Sequence, residues 1–486
     1  MTRYMILALL LPVTSVIGAS WPKVGPNYQP PKATVPDAYQ QQSAASGTNI
    51  DAAVGNWWTT LNDPELTALI DRAVKSNLDL KVASSRILEA RAARRMTRAD
   101  LLPTVESRDT VQRVRGGLTS GLFNVNKSSQ GGSSLLAPFE SSVYQFGFDA
   151  SWEIDFFGGH RRALEAATAD VAAVGEARRD VLVSLLAEVA RNYSELRGFQ
   201  RRLEITNQNI ALQQDSLNLT RVRADAGLGT QFDVERQSAQ LDSTRSSVPS
   251  LEAAEIQTIH RLGVLLGQEP GALLNELTES KPLPPAPPSV PVGLPADLLR
   301  RRPDIREAEA RVAAETARVG VARADLFPKI LLNGAVGRQG TEPSGLTLGA
   351  GNFFSFGPAV TLPIFTAGKI RGNIEAQKQR LDQAVTQYQS AVLRSLEETE
   401  SSLAAYGHEK DRRERLVAAD EASRQATMLA NELYLRGLSD FLSVLDAQRQ
   451  QLAAEDDLAQ SDTAVVTNLV ALYKALGGGW EAIPQQ

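Results

Sequence analysis

The chain has 486 residues with 51 basic and 56 acidic side chains, a net charge of -5. The two signs are interspersed, so the electropositive surface that a nucleic-acid partner needs is not expected. Cysteine is absent and there are three histidines, His160, His260 and His408, which excludes thiol chemistry and disulfides and starves a soft-metal site of ligands; no metal and no cofactor are expected.

In chain order, Arg3, an apolar run from Met5 to Leu11 and the small residues Gly18, Ala19 and Ser20 have the layout of a secretory signal peptide over residues 1–19. That run is too short to span a bilayer, and nothing later approaches the roughly 20 apolar residues of a transmembrane helix. Any membrane crossing therefore has to be made by strands. Five prolines fall in residues 22–36 and seven in 281–295, predicting an extended N-terminal arm over 20–56 and a stiff, polyproline-like linker over 281–295. Phe139 to Val248 and Ile364 to Ile483 hold no proline and are expected to be mostly helical.

Leu196, Leu203, Ile210 and Leu217 recur every seven residues. Leu381, Val385, Tyr388, Val392, Leu396, Leu403 and Tyr406 follow the three-and-four spacing of a packed helical seam. A helix from Gly159 to about Arg223 would be about 100 Å long at 1.5 Å per residue, far longer than a globular helix.

The chain is also duplicated. Arg98-Ala-Asp-Leu-Leu-Pro103 returns as Arg323-Ala-Asp-Leu-Phe-Pro328, Gln145-Phe-Gly147 as Ser355-Phe-Gly357, Gly227-Leu228 with Val234 as Gly437-Leu438 with Val444, and Leu262 with Leu266-Gly267 as Leu472 with Leu476-Gly477. A first structural repeat is expected over 57–280, with a helix, a β-hairpin at 104–155 and long helices over 159–267. A second is expected over 296–480, with its hairpin at 329–363 and long helices over 368–476, ahead of a short tail at 481–486. The two differ in length mainly in the Gly/Ser-rich segment 116–142, the longer counterpart of 337–352.

Tyr144, Phe146, Phe148, Ala150, Trp152 and Ile154 alternate with Gln145, Gly147, Asp149, Ser151, Glu153 and Asp155; Phe354, Phe356, Val360 and Leu362 do the same against Ser355, Gly357 and Thr361. A period of two with one aromatic face and one polar face suits a lipid-facing barrel strand, although a single such strand is equally a strand packed on a helical core. Four strands cannot close a barrel, and an open edge in lipid leaves backbone groups unpaired. A sheet of this kind that faces lipid therefore has to be completed by further copies of the chain, and a trimer supplies twelve strands.

This layout resembles the TolC-like outer-membrane efflux proteins, and more narrowly the OprM-like branch, whose members are usually lipoproteins. The residues that carry the resemblance are Val24-Gly-Pro-Asn-Tyr-Gln-Pro30, Trp57-Trp58 with Asp63-Pro-Glu-Leu66, Asn77-Leu-Asp-Leu80, the duplicated Arg-Ala-Asp-Leu-x-Pro ends, and Gly437 with Leu442-Ser-Val-Leu-Asp-Ala-Gln-Arg449. The resemblance implies an α+β membrane protein, a trimeric 12-stranded β-barrel with four strands per chain continued by a 12-helix, coiled-coil-like α-barrel with a small mixed equatorial domain, and with it a homotrimeric, passive exit duct in the outer membrane of a Gram-negative bacterium, extending into the periplasm. Its implied partners are a periplasmic adaptor, an inner-membrane RND-type pump and outer-membrane lipid, and its implied cargo is drugs or other small toxic solutes. One departure is plain: Ser20 stands where the lipoprotein branch carries its acylated cysteine, so this position cannot be lipidated.

Gly227 and Gly437 mark the two helix-to-helix turns, which lie farthest along the long helices from the strands and are expected at the periplasmic tip. The resemblance assigns Leu442, Asp446 and Arg449 to the periplasmic gate; their spacings of four and three put them on one helical face. An ordinary solvated pair would show the same Asp446–Arg449 spacing. Asp233 is a weaker gate candidate, since a helix cap explains it equally well. Glu153 and Asp155 are candidates for lumen lining. Trp57 and Trp58 are expected to pack rather than bind. The patterns GxxxxGK[ST], GxSxG and HExxH do not occur, so no catalytic residue is expected and the chain is not read as an enzyme. Two alternatives remain at this level: the outer-membrane channel of a type I protein secretion system, and a poreless periplasmic coiled-coil scaffold, which would leave the paired aromatic strands unexplained.

Overall fold

The computed structural model describes residues 22–33, 35–40, 54–116, 139–287, 290, 292–340 and 351–483. Residues 1–19 and Ser20 lie outside them. In chain order the elements are α1 (Pro64–Ser76), α2 (Leu78–Ala99), β1 (Thr104–Gly116), β2 (Phe139–Ile154), α3 (Gly159–Asp225), α4 (Gln231–Leu265), α5 (Pro295–Arg301), α6 (Pro303–Ala324), β3 (Lys329–Gly340), β4 (Asn352–Thr361), α7 (Lys369–Leu435) and α8 (Phe441–Ala475). The long helices match in pairs, 67 residues for α3 and α7 and 35 for α4 and α8. The helix α4 continues through Pro249, which removes one ladder donor from its interior.

The chain divides into two compact units that do not coincide with the repeats. One joins the start of the N-terminal arm, up to Pro30, to Glu89–Val171 and Arg311–Ala384; the other joins Pro31–Leu88, Ala172–Ala310 and Val385–Gln486. Each draws on both halves of the sequence.

The first unit contains one antiparallel sheet in the order β1-β2-β3-β4. Register runs unbroken from Thr104↔Ser151 to Gly116↔Phe139, from Ile154↔Ile330 to Tyr144↔Gly340, and from Lys329↔Thr361 to Arg338↔Asn352. Because side chains alternate, this register gathers Val105, Phe146, Phe148, Trp152, Leu332, Val336, Phe354, Phe356 and Val360 on one face. On the other it gathers Glu106, Arg108, Gln145, Asp149, Ser151, Asn333 and Ser355. Gly147 pairs with Gly337, and a Cβ on either would strike the neighbouring strand's backbone, so both positions require glycine.

The arm is held by a fully buried arginine. Arg162 donates to the carbonyls of Val24 and Gly25 and to Asn27 Oδ1, at 3.1, 3.3 and 2.7 Å. Gly25 has φ +97, and a Cβ there would sit 2.5 Å from Gly320 Cα. The Val24-Gly-Pro-Asn segment is thus explained by its seat.

In the second unit the repeats show in matched contacts. Asn77 Nδ2 donates to the Leu265 carbonyl, and Arg302 Nη1 to the Ala475 carbonyl, at 2.9 and 3.0 Å; each residue begins one helix and ties down the end of another. Asp63 caps α1 by accepting from Glu65 N and Leu66 N. Trp57 stacks on Tyr473 with centroids 5.2 Å apart, and both rings are buried, so Trp57 and Trp58 are core residues.

Candidate functional site

Two features stand out, one in each unit. The first is the sheet face that carries the aromatics. Phe354 is 86% exposed, Phe356 71% and Phe148 59%, and a contiguous apolar face of this kind is costly in water. On the opposite, polar face Arg108 Nε lies 3.1 Å from Asp149 Oδ2. Glu153 Oε1 lies 3.5 Å from His160 Nε2. Asp155 follows the last strand residue; it accepts from the backbone N–H of His160 and Arg161 at 3.2 and 2.9 Å and from Arg161 Nε at 3.1 Å. Asp155 therefore caps the start of α3, where an anion also complements the helix dipole.

The second feature is the pair of hairpin tips. Gly227 (φ +73) ends α3 and Gly437 (φ +72) ends α7. In both turns the glycine N–H and the next residue's N–H return to carbonyls of the last turn: Gly227 to Ala224 and Leu228 to Arg223, Gly437 to Tyr434 and Leu438 to Leu433. This left-handed closure is nearly free of strain only for glycine. Thr230 and Asp233 form a reciprocal capping box at the start of α4. Asp440 caps α8, accepting from Ser443 N and Ser443 Oγ; those two bonds hold its carboxyl below the usual aspartate range. Inside each hairpin apolar side chains cluster: Leu217, Val234 and Leu241 in one, Tyr434, Phe441, Val444 and Leu445 in the other.

Between the hairpins the packing is polar. Gln448 Nε2 donates to Ser216 Oγ at 2.9 Å, Asn209 Nδ2 to Glu455 Oε2 at 2.8 Å, and Arg449 Nε to Gln240 Oε1. Arg202 pairs with Asp456 at 2.6 Å, and the Arg223 guanidinium lies 4.6 Å over the Tyr434 ring. Within the first hairpin, Gln237 Nε2 donates to the Gln213 carbonyl. The Gln213 side chain is 1% exposed, yet neither of its amide atoms has a partner. Interfaces built this way are less tightly held than apolar ones, because water competes for every bond when they part.

The three gate candidates share the first turns of α8 but are not joined to one another. Leu442 is 47% exposed, Asp446 Oδ2 accepts from Gln450 Nε2 at 2.8 Å, and Arg449 reaches across to α4. Asp233 is engaged in its cap. The sequence reading missed Gln213, Gln237, Gln240 and Gln448. A signal existed for Gln448: it and Glu455 follow Phe441 at intervals of seven, two polar residues on what would otherwise be an apolar stripe.

An open sheet with an aromatic face, joined to paired long helical hairpins, defines an outer-membrane channel subunit of the TolC-like type. The family model described as outer membrane efflux protein matches residues 69–268 and 294–478. The chain is 31% identical over 462 residues to nodulation protein T of Rhizobium leguminosarum bv. trifolii, covering 95% of each. It is 32% identical over 464 residues to the solvent efflux pump outer membrane protein SrpC of Pseudomonas putida, covering 94% of this chain and 95% of SrpC. Among solved structures it matches the outer-membrane channel OprN with a TM-score of 0.86 and 37% identity over 94% of this chain and 99% of that one. It matches the open state of the Neisseria gonorrhoeae MtrE outer membrane channel with a TM-score of 0.83 and 29% identity over 96% and 100%. The chain belongs to the outer membrane efflux protein family. It is an efflux duct of the Gram-negative outer membrane that reaches into the periplasm.

Proposed function

We propose that three copies of this chain close into the duct, and that it serves as the passive exit of a tripartite pump. The observation that carries this reading is the four-stranded sheet: within the described residues β1 pairs only with β2 and β4 only with β3, leaving two edges. Two copies would supply eight strands, whose interior side chains fill; three is the smallest number that leaves a lumen. A periplasmic adaptor and an inner-membrane RND-type pump complete the assembly, since the chain has no nucleotide-binding pattern of its own. Small toxic solutes are the cargo, a reading supported by relatives named as solvent and toluene efflux pump outer membrane proteins. Glu153, held near His160 on the polar strand face, lines the lumen, while Asp155 serves the cap.

The periplasmic gate lies at the α8 start. Leu442 supplies an exposed apolar ring, Asp446 an acidic one, and Arg449 the latch that holds α8 to α4 through Gln240. The polar seam between the hairpins supports this assignment, because it can part without exposing apolar core. The test is single-channel conductance in planar bilayers together with the mass of the detergent-extracted particle. The Asp446→Ala/Arg449→Ala double variant should conduct several-fold more than the native trimer, and Gln240→Ala should reproduce part of that gain. A monomeric particle without conductance would end the duct reading. Native conductance in both variants would remove these residues from the gate.

A further inference from the structure

The two hairpins are built to the same helix lengths but not to the same stiffness. Ala459 of α8 stands where α4 has Pro249, at the offset that relates Val234 to Val444 and Leu262 to Leu472. Pro249 has no N–H to offer the Arg245 carbonyl one turn back, and its ring crowds that carbonyl. Its neighbours weaken the ladder further. Ser246 Oγ donates to the Ser243 carbonyl, Ser247 Oγ to that of Thr244 and Ser250 Oγ to that of Ser247, each at 2.7 Å. Hydroxyls that bond back in this way compete for the helix's own acceptors and favour bending.

Packing differs over the same stretch. The buried side chains of α4 stop at Thr244 and resume at Leu251, so none of the six residues between them is buried. The equivalent six of α8, Glu455 to Gln460, include buried Glu455 and Ala459. They are also tied to other helices: Asn209 Nδ2 bonds Glu455, Arg202 pairs with Asp456, and Arg424 Nη2 lies 3.1 Å from Glu455 Oε1. In α4, by contrast, the three serines direct their hydroxyls to its own backbone. The helix α3 crosses this level between Gln200, which bonds Glu255, and Gln214, which accepts from Arg245. That stretch of α3 holds Thr206, Asn207 and Asn209, residues of low helix propensity.

The weak stretch has the seam on its tip side. Arg449 bonds Gln240 and Gln448 bonds Ser216 between it and the turns, whereas Arg202–Asp456 and Asn209–Glu455 pin α3 to α8 farther from them. From Pro249 to the cap at Thr230 is about 28 Å at 1.5 Å per residue. A further bend of about 20° at Pro249 therefore moves the turn by about 10 Å.

We propose that α4 carries a hinge at Ser246–Ser250, and that opening of the periplasmic end swings the tip of the first hairpin, with Gln240, away from α8 while the second hairpin keeps its shape. This hinge rests on the gate placed at the start of α8 and names which side of the seam moves. The cluster of Leu217, Val234 and Leu241 lies on the tip side of Pro249, so it travels undivided.

The chain has no cysteine, so spin labels can be attached through Leu228→Cys and Leu438→Cys, at the exposed leucines of the two turns. The full-length trimer is used, with labelled copies diluted by unlabelled chain. The separation of the turns is read by pulsed electron paramagnetic resonance, beside single-channel conductance. Asp446→Ala/Arg449→Ala should add a population with the turns about 10 Å farther apart. Adding Pro249→Ala, which returns a donor to the Arg245 carbonyl, should shrink that population at least about threefold and remove most of the gain in conductance. Ser246→Ala/Ser247→Ala/Ser250→Ala, with Pro249 in place, should shrink it about 1.5-fold to twofold. Pro249→Ala alone should keep the native trimer mass and the native distance between the turns. No wide population in the gate variant, or one undiminished by Pro249→Ala, overturns the hinge. Conductance that rises without separation of the turns leaves the gate and sinks the hinge. Separation that depends on Pro249 without a rise in conductance keeps the hinge and sinks the gate.

Discussion

The sheet and the hairpin tips invert the usual rule in opposite ways. The sheet turns phenylalanines outward; Phe354 is 86% exposed. The tips bury glutamines; Gln213 is 1% exposed with both amide atoms unbonded. In a water-soluble domain both would be faults, one an aggregation surface and the other an unsatisfied core. Each is consistent with its task. Lipid is the solvent for one, so apolar exposure costs nothing there, while the gate proposed at the other would part along the seam between the hairpins, which is made of bonds that water can replace. Apolar clusters are kept inside each hairpin, and in the first the Gln213–Gln237 contact lies beside them.

The largest effect that could break this contrast is a charge on the aromatic face. Phe148→Arg, near mid-band, should cost about 2–4 kcal/mol in unfolding from lipid vesicles, whereas Ser355→Arg on the opposite face should fall within about 0.5 kcal/mol of native. Equal costs would mean that both faces see the same medium. At the tip the expectation has the opposite sign. Gln213→Leu removes two buried unpaired atoms from the first hairpin and should stabilise the chain by about 1–3 kcal/mol; a lower Tm would show that ordered water already satisfies the amide.

Two pH effects sharpen the picture of the helical unit away from the tip. Burial pushes the Glu65 carboxyl up, but the Arg197 guanidinium at 2.5 Å, with Lys281 and the Tyr193 hydroxyl, outweighs it and holds the group below the ordinary glutamate value. A depressed folded pKa gives stability that is present above the ordinary value of 4.5 and lost as pH falls through the folded one. The fall in Tm below that pH should therefore be shallower in Glu65→Gln, which should also be less stable than the native chain at neutral pH. Asp180 is the reverse and smaller case. Burial, then the Asp304 carboxylate, raise its pKa against the pull of Arg302 and Lys474, so its ionisation at neutral pH works against folding. Asp180→Asn should give a small rise in Tm at pH 7 that disappears in acid.

Much of this architecture was legible before any coordinates. Proline placement and heptad spacing mark α3 and α7, and period-two alternation marks the strands, because both patterns are set by local geometry and by which side meets an apolar medium. The glycines at 227 and 437 were legible as turns for the same reason. Partners were not. Arg449 lies three residues from Asp446, which suggests a pair, yet it bonds Gln240, 209 residues away. Asp155, read as lumen lining by its strand parity, sits one residue past β2 and caps a helix.

By itself the sequence determined the repeat, the lengths of the helices and the two-faced strands, since these follow from the backbone's own periods. Only the tertiary structure decided that the compact units cut across the repeats, that Arg162 grips the N-terminal arm, and that the seam between hairpins is polar. Those outcomes depend on which distant residues share a surface, and hydrogen-bond partners chosen across 130 or more residues leave no period in the chain that could announce them.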